Sequence, residues 1–295
     1  MVQQVWLVTG CSSGFGVEFI KTILQRGDKA IATARRLESI KSLEDQGAAT
    51  LQLDVTAKPD VLADKIGQAI KIYGHIDVVV HNAGYGQLGA LEDLSYDVLS
   101  AQFNTNVFGV MGLTQAVMPH FRERKSGCNV LVSSVGAFVN APGMGAYCAS
   151  KAAIEAMYRS LEGEVKPLGI KTLILQPGIF RTEIQNMKKA SIAESKHHQG
   201  MMAGYSDFMT QGYGKFEGDP SKLAKLAVDL VKGEGSAEGK EIPLALPVGP
   251  DAYAMVKQRL ELDLGNLAEW GGPIQATNYD GAGQGNGSAE LPWSK

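Results

Sequence analysis

Short unbroken apolar runs alternate along the chain with longer stretches in which apolar residues recur every three or four positions. Val5–Gly10 (VWLVTG) predicts a buried strand, and Phe19, Ile20, Ile23 and Leu24 follow at helical spacing, with Gly27 as a helix stop. Lys29–Ala34, Thr50–Val55, Ile76–Gly84, Asn129–Val135, Lys171–Gly178 and Glu241–Leu246 read as further strands. Between them, Val61, Leu62, Ile66, Ala69 and Ile70 mark a helix that ends near Gly74. The spacing predicts other helices over Val98–Arg124, Tyr147–Lys166 and Asp251–Leu264. Asp219 as N-cap with Pro220 at the first helical position announces one more.

Alternating β and α elements with nearly continuous apolar strands imply an α/β fold with a parallel sheet covered on both faces. Right-handed crossovers make that sheet doubly wound. No Pro-, Gly- or Ser-rich linker divides the chain and no internal repeat is visible, so residues 1–280 are expected to form one domain. Two segments break the rhythm. Residues 183–218 are long and irregular but rich in Met and aromatic residues, and 281–295 form a Gly-rich tail expected to be mobile.

Composition narrows the function. The chain has 295 residues, 44% hydrophobic and 20% charged, with a formal net charge of −3. That is ordinary for a globular protein and provides no basic field for nucleic acid. No apolar stretch is long enough for a membrane span, and the first residues read as a strand rather than a signal peptide. Cys11, Cys128 and Cys148 are odd in number and not at metal-ligand spacing, so no metal is expected and free thiols in a cytoplasmic protein are.

The first strand runs into TGCSSGFG, in which Gly10, Gly14 and Gly16 permit a tight turn and close backbone approach to a ligand. Placed before a helix N-terminus, such a loop favours a pyrophosphate. At the end of the second strand an NAD site usually carries a carboxylate for the ribose 2′-hydroxyl. Here Ala34 is followed by Arg35 and Arg36. A guanidinium at that place suits a 2′-phosphate, so Arg35 is expected to select NADP(H).

Other motifs follow in order. They are LDVT (Leu53–Thr56), NAG (Asn82–Gly84), Asn106 in NTNVFG, Ser134 thirteen residues before Tyr147, YCASK (Tyr147–Lys151) and PGIFRT (Pro177–Thr182). With the glycine loop, they resemble the short-chain dehydrogenase/reductases, in particular the 17β-hydroxysteroid and retinol dehydrogenase-like members. The resemblance runs to about residue 275 and implies a Rossmann-type sheet of about seven strands. It implies a catalytic tetrad of Asn106, Ser134, Tyr147 and Lys151. It also implies a cofactor site made by Gly10, Ser12, Ser13, Gly14, Phe15, Gly16, Arg35, Asp54, Val55, Asn82, Ala83, Gly84, Tyr147, Lys151, Pro177, Gly178, Ile179 and Thr182. Members of the family commonly pair through the two helices that carry Asn106 and Tyr147. A homodimer or homotetramer is the expectation, with Phe108, Met111, Ile154 and Met157 as candidate contacts.

The residue types suit the chemistry. Carbonyl reduction needs a hydride and a proton; a free phenol ionises near pH 10, and a neighbouring ammonium lowers that value. Tyr147 is read as general acid/base, Lys151 as its tuner and ribose ligand, and Ser134 as a hydrogen-bond donor to the substrate oxygen. Asn106 is read as holding a water that links Lys151 to solvent. The irregular segment 183–218 leaves the sheet where ligands bind, so it is expected to close over a lipophilic substrate. Phe138, Met144, Phe180, Met187 and Tyr205 are candidate substrate contacts, with Val139, Ile179, Met201, Phe208 and Tyr213 near them. His197 and His198 are expected to be solvated, and His81 to be packed within the fold. The competing readings are a non-catalytic nucleotide-binding regulator, against which the intact tetrad stands, and an epimerase or dehydratase, against which the loop spacing and length stand.

Overall fold

The computed structural model describes residues 3–182, 195–212, 214–277 and 279. Seven strands are hydrogen-bonded in the order β3-β2-β1-β4-β5-β6-β7, every pair parallel. They are β1 (Val5–Val8), β2 (Lys29–Ala34), β3 (Ala49–Gln52), β4 (Val78–His81), β5 (Gly127–Val132), β6 (Ile170–Pro177) and β7 (Ala245–Val248). The order reverses between β1 and β4, and this switch point opens a crevice at the carboxyl ends of the strands.

Strand residues alternate between two buried faces, which is why the strands read as continuous apolar runs. Trp6, Val8, Val78, Val80 and Val130 face α1 (Gly14–Gln25) and α8 (Pro220–Lys232). Val5, Leu7, Ile31 and Val79 face the opposite layer, with α3 (Pro59–Tyr73) and α5 (Gly109–Arg124). On that same side, Leu131 and Ile174 pack on Ile154 and Tyr158 of α6 (Gly145–Val165). A short helix, α2 (Lys41–Glu44), precedes β3.

The helix expected from Val98 to Arg124 is divided. Ser95 caps α4 (Tyr96–Phe103) by accepting from Val98 N at 3.3 Å. A π-helical turn, Asn104–Phe108, then joins α4 to α5. The irregular segment expected from 183 contains a helix, α7 (Gln199–Gly212), which buries Met202 and Met209. Gly200, Gly204 and Gly212 hide this helix from a propensity reading. The last strand lies at Ala245–Val248 rather than Glu241–Leu246, and Ile174 N closes the ladder by donating to Leu244 O at 2.7 Å. The last helix, α9 (Pro250–Gln275), runs well past Leu264, through Gly265, Gly271 and Gly272. It buries only Ala252 and leaves Leu260, Leu264, Leu267 and Trp270 exposed. No helix among the described residues is long and apolar enough to cross a membrane.

Candidate active site

The crevice at the switch point is built by loops that glycine makes possible. Gly10 and Gly14 have φ of +71° and +59°, a region that disfavours side chains. Gly16 has no such backbone need, but a Cβ there would lie 2.4 Å from Gly10 O. Gly16 therefore allows α1 to sit tightly against the loop. Ser13 precedes α1 without a side-chain cap bond, and the first turn has no acidic residue. Backbone N–H groups and the helix dipole are thus available to an anion.

Neighbouring strand ends fix this loop. Asn82 Nδ2 donates to Thr9 O at 2.9 Å and Gly10 O at 3.1 Å. The N–H groups of Asn82 and Ala83 both donate to Thr9 Oγ1, at 3.0 and 2.9 Å. Asn82 is therefore a brace for the glycine loop as well as a wall of the crevice. Asp54 closes an Asx turn, accepting from Thr56 N at 2.9 Å and Thr56 Oγ1 at 2.7 Å. Ser12, Ser13, Phe15, Val55, Gly84 and Thr182 complete the expected lining, and both Arg35 and Arg36 stand exposed at its β2 end.

Pro177, Gly178 and Ile179 do not line the same crevice. Their turn is held from behind by Asp251, whose Oδ2 accepts from Ile179 N at 2.6 Å. A Cβ on Gly178 would meet that carboxylate at 2.3 Å. Asp251 was not legible as a site-supporting residue, because in sequence it is only a first-turn acid of α9. Phe180, read as a substrate contact, is 5% exposed and meets Phe15 edge-on with ring centroids 5.3 Å apart. It belongs to the core, since the Phe180–Gly218 bridge turns it inward.

The four tetrad residues converge. Tyr147 and Lys151 are one turn apart on α6, and Lys151 Nζ lies 5.9 Å from the Tyr147 ring centroid. Lys151 is buried, and Nζ donates to Val132 O at 2.9 Å. Burial holds its ammonium down to about 8 against the attraction of Glu155. Burial pushes the Tyr147 phenol up to about 12, and a hydrogen bond from Ser134 opposes that rise. The net direction is upward, against the lowering by lysine that the sequence leads one to expect. Ser134 Oγ accepts from Gly136 N at 3.0 Å, which leaves its own proton to donate towards Tyr147.

Asn106 lies in the π turn, buried. Its Oδ1 accepts from Tyr85 N at 3.2 Å, and its Nδ2 donates to Tyr85 O at 2.9 Å and Ser150 Oγ at 3.1 Å. The side chain thus clamps the loop after β4 to α6. Gln102, one turn earlier, makes a parallel clamp that sequence reasoning missed: it donates to Tyr85 O at 2.8 Å and accepts from Gln87 N at 2.6 Å.

On the open side of Tyr147, Phe138 and Met144 are half-buried, and Arg259 of α9 lies over the Phe138 ring at 5.8 Å. Tyr205 Oη donates to Met144 Sδ at 3.0 Å, and a Cβ on Gly143 would touch Met202 at 3.1 Å. This seats α7 against the wall beside the start of α6. Phe208 is exposed and meets Phe216 at 5.8 Å instead. Met187 and Tyr213 lie outside the described residues, as do the tail from 281 to 295 and the first part of the expected lid. His198, expected to be solvated, pairs with Glu92 at 2.6 Å. His81 is buried as expected, 3.2 Å from Asn129 Oδ1. No group of three or more possible metal ligands occurs among the described residues.

A doubly wound parallel sheet with a glycine-lined crevice and a Ser–Tyr–Lys cluster defines a nucleotide-dependent oxidoreductase architecture. Residues 4–193 match the family model described as short chain dehydrogenase. The chain belongs to the short-chain dehydrogenase/reductase family. It is 34% identical over 275 residues to oxidoreductase BOA17 of Botryotinia fuckeliana, spanning 90% of this chain and 96% of that one. It is 36% identical over 192 residues to a 3-ketodihydrosphingosine reductase of Bacteroides thetaiotaomicron, spanning 65% of this chain and 69% of that one. A crystal structure of a short-chain dehydrogenase from Streptomyces avermitilis superposes with a TM-score of 0.82 at 34% identity, covering 94% of this chain and all of that one.

Proposed function

We propose that the protein is an NADP(H)-dependent oxidoreductase that interconverts a lipophilic ketone or aldehyde and its alcohol. The observation that carries this reading is the convergence of Tyr147 and Lys151 on the end of the glycine-lined crevice, with Ser134 beside the Tyr147 phenol. The crevice suits a dinucleotide, because Gly10 and Gly14 allow the tight left-handed turns of the loop and α1 presents N–H groups with no side-chain cap. When bound, a nicotinamide supplies or accepts the hydride at the carbonyl carbon. In reduction, Tyr147 donates its phenolic proton to the carbonyl oxygen and Ser134 holds that oxygen by a hydrogen bond. Lys151 stabilises the developing phenolate by its charge. The clamp by Asn106 keeps the loop after β4 and α6 in register, so Tyr147 and Lys151 stay aimed into the crevice.

Preference for the 2′-phosphate is supported by Arg35 and Arg36, exposed at the β2 end of the crevice with no carboxylate at the first position after the strand. A lipophilic substrate is supported by the wall of Phe138, Met144 and Tyr205, and the similarity to a reductase named for a sphingoid ketone points the same way. Self-association through the π turn that precedes α5 and through α6 is supported by Phe108 and Met157, 60% and 41% exposed; Ile154 is in the core and Met111 packs against it. The deciding experiment follows NADPH absorbance with steroid, retinoid and polyketide-like ketones beside small polar carbonyl compounds. Turnover of lipophilic ketones is expected; the fastest turnover with sugars or small polar aldehydes would overturn the substrate class.

A further inference from the structure

Four ionisable side chains occupy successive i, i+4 positions on α6: Tyr147, Lys151, Glu155 and Arg159. The first two belong to the reaction centre, and the Arg159 side chain is 51% exposed. Glu155 is 5% exposed, as deeply placed as Lys151 at 6%. A carboxyl so placed costs free energy unless its surroundings compensate. The compensation is specific. Oε2 accepts from Gln176 Nε2 of β6 at 2.7 Å, and Arg159 stands 3.6 Å away. Burial raises the Glu155 carboxyl above the usual carboxylate range; the Ser133 hydroxyl just past β5, Gln176, Arg159 and Lys151 oppose that rise and favour the ionised form. Neither Ser133 Oγ nor Glu155 Oε1 completes a hydrogen bond in this geometry.

The neighbours can be counted element by element. The charged groups acting on Glu155 are Arg159 and Lys151, both from α6; β5 and β6 bring only the neutral Ser133 and Gln176. Lys151 donates to Val132 O of β5 and lies 5.9 Å from the Tyr147 ring centroid, and Glu155, one turn further along α6, is the charged group that acts on it. The ammonium is thus placed between a phenol on one turn and a carboxylate on the next.

We propose that Glu155 is a positioning residue for proton transfer: held by Gln176, its carboxylate keeps the Lys151 ammonium charged and fixed one turn behind Tyr147. The proposal rests on the reading of Tyr147 and Lys151 as the proton-transferring pair. Loss of the carboxylate leaves a buried ammonium with burial unopposed, so Lys151 gives up its proton at lower pH. The phenolate that develops during carbonyl reduction then loses its stabilising charge. A merely structural Glu155 would instead tie α6 to β6 without regard to pH.

The test compares the full-length protein with Glu155→Gln, which keeps shape and hydrogen-bonding capacity, and Glu155→Asp, which keeps the charge. Lys151 is titrated through the Cε resonance of isotope-labelled lysine, assigned by its loss in Lys151→Met, with and without NADP+. The expected result is a downward shift of roughly one pH unit or more in Glu155→Gln, largely restored in Glu155→Asp. In NADPH-linked ketone reduction, the alkaline limb of kcat should move down by a similar amount, while kcat at low pH stays within a few-fold of wild type. An unchanged Lys151 titration, or a kcat loss equal at every pH and unrepaired by Asp, overturns the proposal. If Glu155→Gln does not fold, Gln176→Met removes the carboxylate's donor and should shift Lys151 in the same direction; no shift overturns it too. Absence of turnover with any carbonyl compound would sink the reductase reading alone, because the Lys151 titration needs no substrate.

Discussion

The side-chain amide of Asn106 pairs with the backbone of Tyr85 in both directions, accepting from its N–H at 3.2 Å and donating to its carbonyl at 2.9 Å. A side chain here substitutes for a strand partner just beyond the end of β4. Replacing it leaves the Tyr85 N–H without its side-chain acceptor, while the Tyr85 carbonyl keeps the bond from Gln102 at 2.8 Å. Asn106→Ala should therefore destabilise the fold by about 1–3 kcal/mol. It should also reduce turnover, because the same amide donates to Ser150 on the catalytic helix. Urea denaturation measures the first effect, and steady-state kinetics the second. Wild-type stability together with wild-type kcat would show that the clamp is dispensable.

Tyr147→Phe removes one hydroxyl and keeps the ring between Gly86 and Gly136. The fold and NADPH affinity should persist, while kcat falls by roughly 10²–10⁴-fold. Fluorescence titration of NADPH distinguishes this from a damaged cofactor site.

Arg35→Asp puts a carboxylate where the 2′-phosphate would lie. The KM for NADPH should rise about 10- to 100-fold, the range of a lost charged hydrogen bond, while that for NADH should fall or hold. If Arg36 is the main ligand instead, Arg35→Asp leaves the preference nearly intact and Arg36→Asp removes it. Equal efficiency of wild type with both cofactors would refute the preference itself.

His81 links stability to pH. Burial lowers its pKa from 6.5 to about 4 against the opposing bond to Asn129. Between those values the unfolded chain binds the proton and the folded chain does not. The contribution is therefore complete above pH 6.5 and lost as pH falls towards 4, at most about 3 kcal/mol from this one group. In His81→Gln the fall in the urea midpoint over that interval should be shallower than in wild type. An identical slope would mean that other groups carry the acid sensitivity.

Most of the sheet was legible because parallel strands buried on both faces leave unbroken runs such as Val78–Val80. The closeness of Tyr147 to Lys151 was legible because four residues of helix separate them in the chain itself. What stayed hidden depends on partners far away in sequence. Gln102 and Asp251 look like ordinary helix residues until the loops that they hold, at Tyr85–Gln87 and Gly178–Ile179, come to meet them. Phe180 looked like a pocket residue because its motif neighbours the site; only the pairing of its backbone with Gly218 turns it to the core. Glycines obscured α7 and the end of α9, because tertiary packing and length overrode weak local propensity.

The π turn at Asn104–Phe108 has a consequence for how the chain tolerates change in length. A π turn amounts to one residue more than an α-helix needs over the same rise. Deleting a single residue there would heal it into regular helix and keep the flanking faces close to their present phase, whereas deleting one from the regular turns beside it would rotate one side by about 100° relative to the other. The α5 face that presents Leu113, Val117 and Phe121 to the core and the α4 face that presents Gln102 to Tyr85 could no longer both be satisfied. Surface loops elsewhere can gain or lose a residue; along this helix the count itself is under constraint.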